Sequence, residues 1–272
     1  MKIFVDSVGD PNYRFLLGGD EPVSIKHGAA AQPRSIVDFF ERDPPTIWFA
    51  DGSSLEGNEY IELKTSQPPY DARQIVIWDW TGTDLSKESQ GLQRLATSIQ
   101  ARTIRELLKS DDDVIVDDDS SGEAADIVCV KIVGGIDAPA GLDVRFFHCK
   151  YSHGVQPGAR VADLYEVCGQ AQKSIWWAST PEKKTDLFTH LMRRESARIA
   201  KGDASRIERG SLDLLKKIRE ISRIYPVTFS ISIVQPGISA GGVSHDQLQL
   251  LGVTENHLWE MFQMKFAVIA SA

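Results

Sequence analysis

No stretch of this chain stays apolar for the roughly 18–20 residues that a membrane helix requires. Its first residues, "MKIFVDSVGD", lack the layout of a secretory signal. A cytoplasmic protein without membrane association is therefore expected. Cysteine is scarce: Cys129, Cys149 and Cys168 are the three among 272 residues, an odd number with no C-x-x-C pair. Each sits in an apolar segment, which argues for reduced core thiols over a disulfide framework or a zinc knuckle. Net positive charge is missing too, the formal balance being −8. A surface coated in basic residues is excluded, so any polyanion must be bound by a local patch, a metal or a partner subunit. No repeat occurs, and no low-complexity segment beyond the acidic run 111–119.

What is present is the composition of a globular protein, 42% hydrophobic and 25% charged, long enough for one large domain or two small ones. Residues 1–75 are rich in turn formers and read as a small β-rich or mixed region. "TIWFADGSSLEGNEYIEL" predicts two strands around a Gly/Ser-containing turn, after a short helix at "SIVDFFER". Residues 76–272 pattern more sharply. "RQIVIWDW" is a strand candidate, and residues 86–110 predict one long helix with Leu92, Leu95, Ile99, Ile104 and Leu107 near helical spacing. The acidic run 111–119 then reads as a solvated loop entering a hairpin. Strands follow at "DVIVDD", "AADIVCVKIV" and "DVRFFHCKY", and then a helix whose stripe is Val161, Leu164, Cys168, Ala171 and Ile175. Further helices open at Thr180-Pro181 and near Ser211. The strand "VTFSISIVQPG", a capping box at Ser244 and Gln247, and a last strand "FAVIAS" complete the pattern. The expected class is α/β, a mixed sheet flanked by helices, with a small N-terminal β-rich subdomain.

The chemistry gathers where two of these strands end. Alternation puts His148 and Lys150 on one side of their strand and Cys149 on the other. Antiparallel pairing with the preceding strand brings Asp126, near that strand's start, towards Lys150. A carboxylate and a lysine so placed suit phosphodiester hydrolysis: the acid holds a divalent cation, and the lysine positions or helps deprotonate water. His148-Cys149-Lys150 also opens like an H-x-K-x4-D phosphodiesterase motif, but the acid that motif needs at position 155 is Val155. Trp176 and Trp177 could stack bases or cap a core. Arg193, Arg194 and Arg206 are the best local candidates for phosphate contacts, and an exposed helix face with i,i+4 pairs is the plainer account of them.

The order helix, hairpin with Asp, third strand ending x-x-Lys, then helix resembles the PD-(D/E)XK nuclease superfamily across roughly residues 85–178. The resemblance implies a restriction-endonuclease-like fold and a metal-dependent nuclease acting on DNA or RNA, with Mg2+ or Mn2+ as cofactor. Carried across, Asp126 matches the metal-binding aspartate and Lys150 the catalytic lysine. The Cys149 carbonyl would be a further metal ligand, Gln170 the polar residue of the following helix, and Glu88 a candidate for the upstream acid. His148 stands where the family has Glu or Asp. Glu123 is the nearest replacement, followed by Asp118 and Asp119; His148 as a ligand would favour manganese, because magnesium prefers oxygen. "GEAADIV", "HCKYS" and "LYEVCGQAQKS" are similar to nuclease domains attached to helicases or other bacterial anti-phage defence proteins. That implies an antiviral effector partnered by a helicase or another defence subunit. The alternative is an inactive nuclease-fold module that binds nucleic acid or docks a partner protein.

Overall fold

The structure is a computed structural model; it describes residues 68–154 and 156–272 and, before them, 2–6, 12–17, 21–26, 32–42, 44–48, 53–56 and 59–61. The chain divides into two compact units, residues 1–67 and 68–272. The first contains short antiparallel pairings, Lys2–Asp6 with Asn12–Leu16 and Ser24–Ile25 with Arg34–Ser35. It also has a helix over Ile36–Arg42 and a three-stranded sheet of Ile47–Trp48, Ser54–Glu56 and Glu59–Ile61. Three strands thus stand where two were expected, and the turn residues 49–52 lie outside the described residues. Leu55 is its buried centre, packed by Val37, Phe40 and Ile47.

The second unit is built on a seven-stranded mixed sheet. In chain order its strands are β1 (Val76–Ile77), β2 (Val114–Asp117), β3 (Ile127–Val133), β4 (Gly141–Cys149), β5 (Ile207–Arg209), β6 (Val227–Ser239) and β7 (Lys265–Ser271). Across the sheet they run β5-β2-β3-β4-β6-β7-β1. The first four are mutually antiparallel; β4, β6, β7 and β1 run parallel. The helices are α1 (Ile99–Leu107), α2 (Ala162–Lys173), α3 (Pro181–Ala200), α4 (Leu212–Ile221) and α5 (His245–Phe262). The parallel steps are made by helical crossovers: α2, α3 and α4 lie between β4 and β6, and α5 lies between β6 and β7.

Alternation sorts the strand residues into two cores. Val128, Val130, Val144 and Phe146 pack with Leu164, Val167, Leu187, Leu215 and Leu251 from α2 to α5. Ile115, Ile127, Cys129, Phe147 and Cys149 pack with α1 through Ile99, Ile104 and Leu107. All three cysteines are free and buried, as their apolar settings imply. The predicted caps are present: Thr180 and Ser211 accept first-turn N–H groups, and Ser244 with Gln247 closes a capping box on α5.

Three expectations are corrected. The long helix over 86–110 is only α1, capped by the Ser98 hydroxyl, which accepts the Ala101 N–H at 3.1 Å. Gly91 and Arg94 take left-handed φ values of 58° and 54°, which breaks the helical ladder. Leu92 consequently stays 74% exposed. The acidic run 111–119 is not a solvated loop. It contains β2, and Asp112, Asp117 and Asp118 are buried because Arg145, Arg206 and Arg194 reach them from distant elements. Residues 68–75, placed by their sequence with the N-terminal region, pack in the second unit. There the Tyr70 N–H donates to the Leu248 carbonyl at 2.9 Å, and its ring meets Phe266 edge-on at 5.9 Å.

That last contact depends on Gly252 in α5. A Cβ at Gly252 would lie 2.4 Å from the Pro68 carbonyl oxygen and 2.8 Å from the Tyr70 nitrogen, both backbone atoms that cannot swing aside. Gly252→Ala is expected to lower stability by about 1–3 kcal/mol, the usual cost of overpacking a closed contact, read as a fall in the urea midpoint at unchanged slope.

Candidate metal centre

The β3–β4 ladder pairs Ile127 with Phe147 and goes no further in register. Just past that end, the Asp126 carboxylate takes over the ladder's next position by accepting the Cys149 N–H at 2.9 Å. A strand residue's N–H and C=O point to the same edge, so the Cys149 carbonyl shares the edge that Asp126 occupies. The Cys149 thiol points into the α1 core, 3.7 Å from the Thr103 hydroxyl.

The turn between β2 and β3 supplies more acids. Ligand-capable oxygens of Asp119, Glu123 and Asp126 all lie within 4.8 Å of one another. Glu123 also accepts the Ser120 N–H at 2.9 Å, and Asp119 accepts the Ser89 hydroxyl. Burial pushes Asp126 well above the usual carboxylate range, and the neighbouring Glu123 pushes it further. Burial likewise raises Glu123, with Asp119 and Asp118 adding repulsion. Three oxygen donors that repel one another inside a partly desolvated site form a set suited to a hard divalent cation.

Lys150 is buried, and its ammonium group pairs with Glu166 at 2.8 Å and Glu88 at 3.0 Å. Burial alone would lower its pKa, but the hydrogen bonds from Glu166 and Glu88 outweigh that and raise it. Lys150 is therefore a protonated donor and not a base, which narrows the role expected of it. Glu88 reaches the site from the turns before α1 and also accepts the Tyr151 N–H at 3.2 Å. Along α2 and the residue that caps it, Glu166, Gln170 and Ser174 recur every fourth residue and so share one face. The Gln170 side-chain oxygen is buried with no hydrogen-bond partner among the described residues. Glu166 escaped notice in the sequence, although its four-residue spacing from Gln170 marks it.

His148 lies behind the carboxylates. Ser174 gives its one hydroxyl proton to the Ala124 carbonyl at 2.8 Å, so it accepts from His148 Nε2, also at 2.8 Å. Nδ1 is then a bare lone pair, 3.7 Å from the Asp126 oxygen and without a hydrogen bond. Burial, helped by Lys173, drops the imidazole pKa to about 3, so the ring is neutral. His148 thus adds no negative charge to the site and gives Asp126 no hydrogen bond.

The arginines expected on phosphate are mostly committed elsewhere. Arg194 donates to the Asp118 carboxylate at 2.5 Å and to the carbonyls of Asp118 and Ser121 at 2.6 and 2.8 Å, clamping the turn that carries Asp119 and Glu123. Arg206 pairs with the fully buried Asp117 at 3.2 Å. Arg193 is exposed. Trp176 is half-exposed with the Lys183 ammonium 3.9 Å over its ring, whereas Trp177 packs on the larger core. Val155 lies outside the described residues.

The raised Asp126 pKa fixes a sign. Its protonated form is favoured by the fold, so that stability is complete below the ordinary carboxylate range near pH 4 and lost as pH rises through the folded value. Asp126→Asn cannot titrate but keeps an acceptor for the Cys149 N–H. In EDTA, its stability relative to the native protein should increase from pH 5 to pH 8, by up to about 1.4 kcal/mol per pH unit within the titration window. Urea melts across that range check it, and parallel curves would show that Asp126 is not the strained carboxylate.

Comparison with protein-family models, with curated proteins and with solved structures finds no match to this chain.

Proposed function

We infer that the second unit is a divalent-metal-dependent nuclease of the PD-(D/E)XK type, hydrolysing phosphodiester bonds in DNA or RNA. The observation that carries this reading is the Asp126 carboxylate bonded to the backbone of Cys149. It ties the acid of β3 to the end of the strand that delivers Lys150, with Glu123 and Asp119 grouped around it. The helix, hairpin, third strand and helix in α1-β2-β3-β4-α2 support it, in the order on which the resemblance rests.

Asp119, Glu123 and Asp126 would hold Mg2+ or Mn2+, with the Cys149 carbonyl as a further donor. Once bound, the cation would neutralise charge on the phosphate and lower the pKa of its water. Lys150 contributes a fixed positive charge and N–H donors to the phosphate or the attacking water. Glu88 and Glu166 hold that ammonium in place and keep it protonated. Gln170 presents an unpaired amide oxygen that a water or ribose hydroxyl would satisfy, and Arg194 fixes the turn bearing two of the carboxylates. An antiviral setting with a helicase or other defence partner is part of the same proposal and rests on the sequence resemblance alone.

One observation favours a second reading, a nucleic-acid-binding or partner-docking module without cleavage. The strand position that should carry an acid is His148, which faces Ser174 and is neutral.

The test is incubation with plasmid, single-stranded DNA and RNA in Mg2+ or Mn2+, with EDTA as control. Metal-dependent cleavage is expected, reduced at least ~100-fold by Asp126→Ala or Lys150→Ala with the folded circular dichroism spectrum retained. Mn2+ should raise the melting temperature of the native protein and of Lys150→Ala, but not of Asp126→Ala. Cleavage that survives both substitutions removes the assignment; binding without cleavage in every metal supports the module.

A further inference from the structure

The chain just beyond Lys150 builds a second polar constellation that the hydrolytic reading leaves unused. Its centre is Asp163, in the first turn of α2, whose carboxylate has no exposed surface. That carboxylate accepts the His153 N–H at 3.0 Å, His153 Nδ1 at 2.5 Å and Arg160 Nε at 3.1 Å. Both carboxylate oxygens thus receive nitrogen donors, one of them a guanidinium. The hydrogen between it and the imidazole therefore sits on Nδ1. Neutral His153 presents a lone pair at Nε2, and protonated His153 presents a charged N–H there.

The imidazole is 47% exposed, and among the described residues Nε2 has the Tyr151 hydroxyl as its hydrogen-bond contact, at a weak 3.5 Å. The Tyr151 ring lies 4.9 Å from the His153 ring and 4.9 Å from the Lys150 ammonium, so His153 is one aromatic ring away from the proposed hydrolytic site. Hydrogen bonds tie the described residues around His153 to their neighbours. Arg160 donates to the Ser152 hydroxyl at 3.0 Å and the Gln156 carbonyl at 2.9 Å. The buried Gln235 amide donates to the carbonyls of Tyr151 and Asp163 at 3.2 and 2.7 Å. Gly154 and Gly237 leave room for this packing: a Cβ on either would lie 2.5 Å from Arg160 Cζ or 2.7 Å from the Asp163 carboxylate. A fixed imidazole with one outward nitrogen, backed by a buried carboxylate, is a preorganised single-point anion donor.

We propose that His153 binds a backbone phosphate of the nucleic acid next to the one Lys150 addresses, with the Tyr151 ring against the intervening nucleotide. This rests on the nuclease reading and adds a substrate contact to it. The charged groups around the imidazole are Asp163 directly, Arg160 through its pairing with Asp163, and Lys150 across the Tyr151 ring, itself paired with Glu88 and Glu166. The contact is made through Nε2, the ring nitrogen that Asp163 does not hold.

The experiment is fluorescence anisotropy with fluorescein-labelled single-stranded and duplex oligonucleotides, in Ca2+ over a range of salt concentrations. His153→Ala should bind about tenfold more weakly than the native protein, as one phosphate contact is lost. Its log Kd–log salt slope should fall by about 0.7–0.9, the value of one phosphate contact. His153→Gln, which keeps a neutral donor, should bind at an intermediate affinity with the same reduced slope. In Mg2+ at saturating substrate, both variants should cleave within about twofold of the native rate, so that the effect lies in KM and not in kcat. Variants that keep the native affinity and salt slope overturn the role of His153 and leave the nuclease reading intact. A native protein that binds neither oligonucleotide and cleaves nothing overturns both.

Discussion

A carboxylate taken out of water must find compensation, and among the described residues this unit buries six of them: Asp112, Asp117, Asp118, Asp126, Asp163 and Glu195. Five are matched by arginines, Asp112 by Arg145, Asp117 by Arg206, Asp118 by Arg194, Asp163 by Arg160 and Glu195 by Arg198. Asp126 differs. Among the described residues its one hydrogen-bond donor is a backbone N–H; the nearby imidazole is neutral and donates nothing to it, and no lysine or arginine pairs with it. The compensated carboxylates stabilise the scaffold. The uncompensated one, crowded by Glu123, is where a cation would gain most.

The scaffold carries that strained group because its supports lie on regular elements. β2 shows the device compactly: alternation sends Asp117 and Asp118 to opposite faces, one towards Gln90, Gln100 and Arg206, the other towards Arg194 on α3. Both ends of the acidic turn are thus pinned before it reaches Glu123. β4 delivers Cys149 to one core and Lys150 to the opposite side, while α2 brings Glu166, Gln170 and Ser174 across the top. Rigid strands and a packed helix can hold like charges together where a mobile loop would let them separate.

Much of the fold was legible in the sequence. The strands β2, β3, β4, β6 and β7 are marked by apolar runs, and α2, α3, α4 and α5 by stripes and caps that depend on neighbours within a turn or two. The failures have physical causes. Residues 86–98 have helical spacing but contain Gly91 and Arg94 in left-handed backbone, and their neighbours bond elsewhere, the Gln90 N–H to the Gln100 side chain and the Ser89 hydroxyl to Asp119. The acidic run looked solvated because its arginines lie some 30 to 90 positions away in sequence. Arg194 and Arg206 looked free for the same reason, seen from the other side.

For the site, Glu123 came in only through the family resemblance, while residue types and strand alternation alone named Asp126 and Lys150 and put His148 on the same side as Lys150. Those are local properties of an extended chain with a two-residue period. Which carboxylates meet, which histidine is neutral and turned inward, and which one faces outward against a buried acid were decided only by the tertiary structure. His148 and His153 are alike in composition and only five positions apart. One sits against Ser174 in the core and the other leans on Asp163 at the surface, because proton affinity and direction depend on burial and partners brought together by folding.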